Sequence, residues 1–164
     1  MILIRNVLVA TDFSEPSDAA LNYGRELART FTATLHVLHV ADIATVQYGI
    51  ELYSTLLPEL QQEVEAAARK QLEGLISEED RLALRAKPVI VTAVSTAAAI
   101  VGYASQHRMD LIVIGTHGRG AVSHLLMGSV AERVVRTATC PVLTVHHPEH
   151  EFVIPDALVA VARA

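Results

Sequence analysis

The sequence predicts a single α/β domain built on an open, five-stranded parallel sheet with helices on both faces. Three observations carry this. Short β-branched runs alternate with segments of helical period, the pattern of strands joined by crossover helices. Two of the runs, Val7–Ala10 and Leu111–Ile114, are apolar throughout, as strands covered on both faces should be. A chain of 164 residues with 51% hydrophobic and 19% charged side chains suits one domain with a full core.

The elements follow in order. Val7–Ala10 is the first strand. Ser14 can cap the next helix, Pro16 suits its first turn, and Ala20, Tyr23, Leu27 and Phe31 recur at helical spacing. Leu35–Val40 is the second strand, and residues 41–56 make a long connection. Pro58 opens the longest helix, a Glu-rich surface helix over 58–80 with an apolar stripe of Leu60, Val64, Ala67, Leu72 and Leu75. The third strand is Pro88–Val94, followed by a short helix over Ala97–Gln106. After the fourth strand, Leu111–Ile114, a glycine-containing loop leads to a last helix marked by Val130, Val134 and Ala138. Pro141–Val145 is the fifth strand. The α/β domain therefore spans 1–147. An extension over 148–164 is punctuated by Pro148 and Pro155, and Asp156 is a possible cap for a short apolar helix.

Composition narrows the function classes. Thirteen basic against 18 acidic residues give a net charge of −5, which argues against nucleic-acid binding. The lone cysteine, Cys140, rules out an internal disulfide framework and reads as a buried, inert thiol. No apolar run approaches the ~20 residues that span a bilayer, and the N-terminal residues read as strand rather than leader. A cytoplasmic protein without membrane insertion is expected.

Ligands of an open α/β sheet sit at the carboxyl ends of the strands, where strand order reverses. Either the flavodoxin-like order 2-1-3-4-5 or the Rossmann-like relative 3-2-1-4-5 keeps the first strand inside the sheet. The segments after the first and fourth strands therefore matter most: Ala10-Thr11-Asp12-Phe13-Ser14, and Gly115-Thr116-His117-Gly118-Arg119-Gly120. Gly115, two residues, Gly118, nine residues, then Gly128-Ser129 puts glycines where backbone can approach an anion. Ser129 opens a helix whose free N–H groups favour phosphate. Asp12 could merely form a turn, but its place across the crevice from Gly115 favours a ligand role. Arg119 and Arg133 are cationic candidates near the phosphates.

Other chemistries are disfavoured. Ala121-Val122 stands where a Walker A loop needs Lys-Ser/Thr, and Thr11–Pro16 has no glycine for a dinucleotide fingerprint. Pro148 breaks any helix that would align His146, His147 and His150, and His36 and His39 face opposite ways, so no metal held by protein side chains is expected. No nucleophile–base pair is evident, and no catalytic residue is assigned.

Val7–Ser14, Leu38-His39-Val40 and the block Asp110–Val145 resemble the universal stress protein family over roughly residues 5–145. The Gly-x2-Gly-x9-Gly-Ser spacing is similar to that of its ATP-binding branch. The resemblance implies that Asp12, beside Ala10 and Thr11, meets the ribose or adenine. Val40 would pair the adenine edge through its backbone. Gly115, His117, Gly118, Gly128, Ser129 and Val130 would surround the phosphates of ATP (or AMP/ADP), bridged by Mg2+. The chain departs from the family at Thr92–Thr96, which lacks the usual glycine. It implies a stress-response or regulatory module, not an enzyme, with an unknown protein partner possible. It also implies a homodimer through the uncharged edge strand Pro141–Val145. A slow ATPase, a nucleotide-transferring enzyme and a nucleotide-free interaction protein are the alternatives.

Overall fold

The computed structural model describes residues 2–42, 57–117 and 127–146. Its elements are β1 (Asn6–Thr11), α1 (Glu15–Phe31), β2 (Thr34–Asp42), α2 (Leu57–Leu75), α3 (Glu78–Ala83), β3 (Lys87–Ala93), α4 (Thr96–Gln106), β4 (Leu111–Gly115), α5 (Ser129–Thr137) and β5 (Val142–Val145). The five strands form one parallel sheet in the order β3-β2-β1-β4-β5. Of the two orders left open by the sequence, 3-2-1-4-5 is the one adopted.

Alternation along the strands sorts side chains between two cores. Val7, Val9, Leu35 and Val37 face α1 and α2, where Ala20, Leu21, Leu72 and Ile76 meet them. Leu8, Leu38 and Ile112 face α4 and α5, where Ile100, Ala104, Ala131 and Val134 pack. Strand β1 is thus followed by a helix on one face and its neighbour β4 by a helix on the other. That reversal opens a crevice at their carboxyl ends.

Several element-level expectations need correction. Phe31 ends α1 36% exposed, because the buried stripe runs through Ser17, Ala20, Leu21, Gly24 and Ala28. The expected stripe of the longest helix is also rotated: Val64 and Ala67 are exposed, while Ala68, Leu72 and Ile76 are buried. Leu60 lies outside the described side chains. That helix stops at Leu75 rather than reaching residue 80, and a separate six-residue helix, α3, starts after Ser77. The signal was present in the sequence as Ser77-Glu78-Glu79-Asp80. Ser77 Oγ accepts from the Asp80 amide at 3.0 Å and Asp80 Oδ2 accepts from the Ser77 amide at 3.0 Å, a capping box.

Asp80 has a second role. Its carboxylate receives the Arg25 guanidinium, with Nε at 3.1 Å from both oxygens and an NH2 at 3.0 Å. The same NH2 donates to the Leu75 carbonyl at 2.6 Å. One arginine of α1 therefore holds the junction between α2 and α3.

Candidate functional site

The turn after β1 is built around two side-chain oxygens. Thr11, 6% exposed, places Oγ1 at 3.1 Å from Ser17 Oγ and accepts the Phe13 amide at 3.0 Å. Asp12 Oδ1 accepts the Ser14 amide at 3.2 Å and also the Ser14 hydroxyl. Ser14 occupies the N-cap of α1 as expected, yet its hydroxyl is turned back to Asp12. Ser17 Oγ instead accepts the Ser14 amide at 3.0 Å. Asp12 is thus a turn former whatever else it does.

Between them Phe13 adopts a left-handed φ of 64°, rare for a bulky side chain. Its ring lies 4.4 Å from that of His39, whose Nδ1 donates to the Thr11 carbonyl at 2.9 Å. This contact ties the turn to β2. The β1–β2 ladder ends at Thr11 opposite His39, so Val40, one residue further, has no register partner on β1. Strand β2 does not end at Val40 as expected but continues to Asp42 against β3. Ala10 and Val40 are 7% and 8% exposed and lie in the core beneath α4 and α5, at the floor of the crevice.

Across the crevice, Gly115 closes β4. A Cβ there would lie 2.8 Å from the Pro16 carbonyl oxygen, so the first turn of α1 requires glycine at this point. Thr116, 6% exposed, donates its amide to the Val145 carbonyl at 2.8 Å and accepts the Gly128 amide at 2.6 Å. A Cβ on Gly128 would sit 3.1 Å from the Thr116 carbonyl oxygen, so glycine permits this closure. Thr116 and Gly128 together form the stem of a loop. Gly118 and Arg119 lie within that loop, outside the described residues. Thr116 Oγ1 stands 3.0 Å from His117 Nδ1 and 3.2 Å from His146 Nδ1, and the two imidazole rings meet edge-on at 5.6 Å. The sequence presents His146 only as a rejected metal-ligand candidate in the tail, whereas β5 delivers it to Thr116 from 30 residues away.

From the stem, Gly128 serves as N-cap and Ser129 and Val130 open α5. Beside them runs a cleft of about 620 Å³, lined by Ser95, Thr96 and Ala97 at the start of α4. Ser129, Val130, Glu132, Arg133, Arg136 and Thr137 of α5 form its other wall. The two helices open at the same end of the sheet. Arg136 is paired with Glu132 at 3.2 Å. The α4 wall was not anticipated as part of a site, though Ser95 is legible as a cap: its Oγ accepts the Ala98 amide at 3.5 Å.

Two other candidate groups stand apart from the crevice. His36 and His39 do lie on opposite faces, and His36 bonds through Nδ1 to the Tyr103 hydroxyl at 2.8 Å. Burial, with the nearby charges of Lys87 and His107, lowers the His36 pKa to about 4. Cys140 is half-buried rather than fully buried. Burial, reinforced by the Asp110 carboxylate, pushes its thiol pKa up, so the sulfur stays protonated. Among the described residues no three His, Cys, Asp or Glu side chains gather as metal ligands, and no helix is long and apolar enough to cross a membrane.

Comparison with known proteins agrees with this architecture. The model of the universal stress protein family matches residues 3–146. The universal stress protein MJ0531 of Methanocaldococcus jannaschii is 32% identical over 154 residues, covering 91% of this chain and 86% of that protein. The solved structure of protein MJ0577 from the same organism superposes with a TM-score of 0.76 at 25% identity, over 91% of this chain and all of that one. A universal stress protein from Archaeoglobus fulgidus, solved in complex with dAMP, shares the fold at 22% identity and a TM-score of 0.62, over 88% of this chain and 99% of that one. With the family model matched from the first strand to the last, this chain belongs to the universal stress protein family.

Proposed function

We propose that the protein binds an adenine nucleotide, ATP foremost, in the crevice between β1 and β4, and that it acts as a nucleotide-dependent stress-response or regulatory module rather than as an enzyme. The observation that carries the reading is the loop stem. The Thr116–Gly128 hydrogen bond holds the start of α5 against the residue that follows β4, whose neighbour in the sheet is β1. Adenine then lies over Ala10 and Val40, with the unladdered backbone edge of Val40 facing the base. Asp12 and Thr11 stand beside the ribose. Gly115, His117, Gly118, Gly128, Ser129 and Val130 surround the phosphates, where several N–H donors act together. The A. fulgidus complex supports the reading at the level of the fold, which there accommodates dAMP.

A divalent cation, Mg2+, would ride on the phosphates. Among the described residues, Glu132 is the one carboxylate lining the cleft and is already paired with Arg136, and no cluster of ligands occurs. The unit that binds is the domain over 1–147, working in the cytoplasm as a homodimer joined through Pro141–Val145. The extension over 148–164 lies outside the described residues.

A second reading, slow ATP hydrolysis, has one observation in its favour: the Thr116 hydroxyl within hydrogen-bond reach of His117. Against it, Thr116 is 6% exposed and its oxygen is shared with His146.

The test is thermal melting with nucleotide. Ligand at a hundred times its dissociation constant adds ~2.7 kcal/mol to stability. At roughly 2–4 °C per kcal/mol the midpoint should rise by about 5–11 °C. Asp12→Ala should shrink that rise, and GTP should give a smaller one than ATP. A melting curve unmoved by saturating ATP and magnesium would end the nucleotide reading. Steady phosphate release at ~1 per second or faster would favour the enzyme.

A further inference from the structure

We propose that the α4–α5 cleft receives the terminal phosphates of the nucleotide, and that Arg133 is the residue by which the protein distinguishes a triphosphate from a monophosphate. The inference rests on the nucleotide reading above and extends it to a specificity determinant. The cleft begins at Ser129, where that reading places the phosphates, and continues along α5 for about 620 Å³. It therefore provides room beyond the first phosphate.

Arg133 stands four residues after Ser129 on the same helix face. Helical side chains lean toward the N-terminus, so its guanidinium is carried back over the turn that Ser129 opens. The charge pattern of the lining singles it out. Glu132 and Arg136 neutralise each other at 3.2 Å, whereas Arg133 makes no ion pair or side-chain hydrogen bond among the described residues. The lining thus carries one uncompensated positive charge. Across from it, Ser95 and Thr96 offer hydroxyls at the start of α4. A guanidinium matches a phosphate oxygen pair as a planar fork, which a lysine ammonium does not.

The experiment is calorimetric titration of ATP, ADP and AMP, each with magnesium chloride, into the wild-type chain and into Arg133→Ala and Arg133→Lys. Arg133 is exposed on a helix and alanine is the best helix former, so both variants should fold, with circular dichroism as the control. The expected result is a loss of about tenfold in ATP affinity for Arg133→Ala, with AMP affinity changed by less than about twofold. Arg133→Lys should fall between, because it keeps the charge and loses the fork. If the wild type binds ATP but Arg133→Ala weakens ATP and AMP equally, or neither, Arg133 does not read the terminal phosphates. If the wild type binds no nucleotide at all, the function proposed above fails and this inference with it.

Discussion

Gly115 at the end of β4 and Pro16 in the first turn of α1 approach so closely that a Cβ on the glycine would stand 2.8 Å from the Pro16 carbonyl oxygen. The sequence pattern reads Gly115 as a residue that lets backbone meet phosphate, yet its nearest demand comes from within the protein. Gly115→Ala should therefore destabilise the chain even without ligand, by about 1–3 kcal/mol as an overpacked contact. At roughly 2–4 °C per kcal/mol, a melting point lowered by about 2–12 °C is expected. An unchanged nucleotide-free melting point would show that α1 yields easily and that Gly115 serves only the ligand.

Arg25 and Asp80 join three helices. Burial by itself would raise the Asp80 carboxyl pKa, but the Arg25 hydrogen bond, the Ser77 amide and the Arg25 charge together bring it below its ordinary value. Asp80→Ala removes the ion pair and half the α3 capping box in one step. Arg25 is 23% exposed and can regain some water, so the loss should fall near the low end for broken buried pairs, about 2–4 kcal/mol. Urea unfolding of the variant measures it. A loss under about 1 kcal/mol would reduce the junction to a surface ion pair.

His36 makes stability depend on pH. Its folded-state pKa, about 4, lies below the ordinary 6.5, so the unfolded chain takes up the proton first as pH falls. The stabilisation is fully present above about pH 6.5 and is lost on the way down to about pH 4. Its size is roughly 2–3 kcal/mol across that window. The groups facing His36 are Tyr103, His107 and Lys87. Comparing unfolding free energies at pH 7 and pH 5 isolates most of the effect before carboxylates titrate. His36→Gln, which does not titrate, should flatten the difference, and an equal slope in both proteins would remove His36 as its source.

The open edge of β5 offers a direct test of the proposed dimer. The Pro141 and Val145 carbonyls accept bonds from β4 residues and Thr116. By alternation, the Thr144 amide points to the unpaired edge. Thr144→Pro removes that donor without taking a bond from β4, a position where sheets tolerate proline. Light scattering at micromolar concentration should give twice the chain mass for the wild type and the single mass for the variant. A wild type at the single mass, or a variant still at twice it, would exclude pairing through this edge.

Local pattern carried the sequence reading a long way. Apolar runs such as Leu111–Ile114 declared themselves as buried strands, because a strand covered on both faces has no polar positions to spare. The Gly-x2-Gly-x9-Gly-Ser spacing located the loop and the start of α5, because glycines mark close backbone approach wherever it occurs. The apolar period of α2 points to Val64 and Ala67, which are exposed, since a helix with apolar residues on several sides does not say which side meets the sheet. Only the folded chain decided that side. It also settled the strand order, set Pro16 against Gly115, brought Arg25 to Asp80 from 55 residues away, and placed Ser95 across a cleft from Arg133. Each of these depends on how distant segments pack and pair in register. The period of any one segment is set by its own backbone geometry, and that geometry carries no information about its partner.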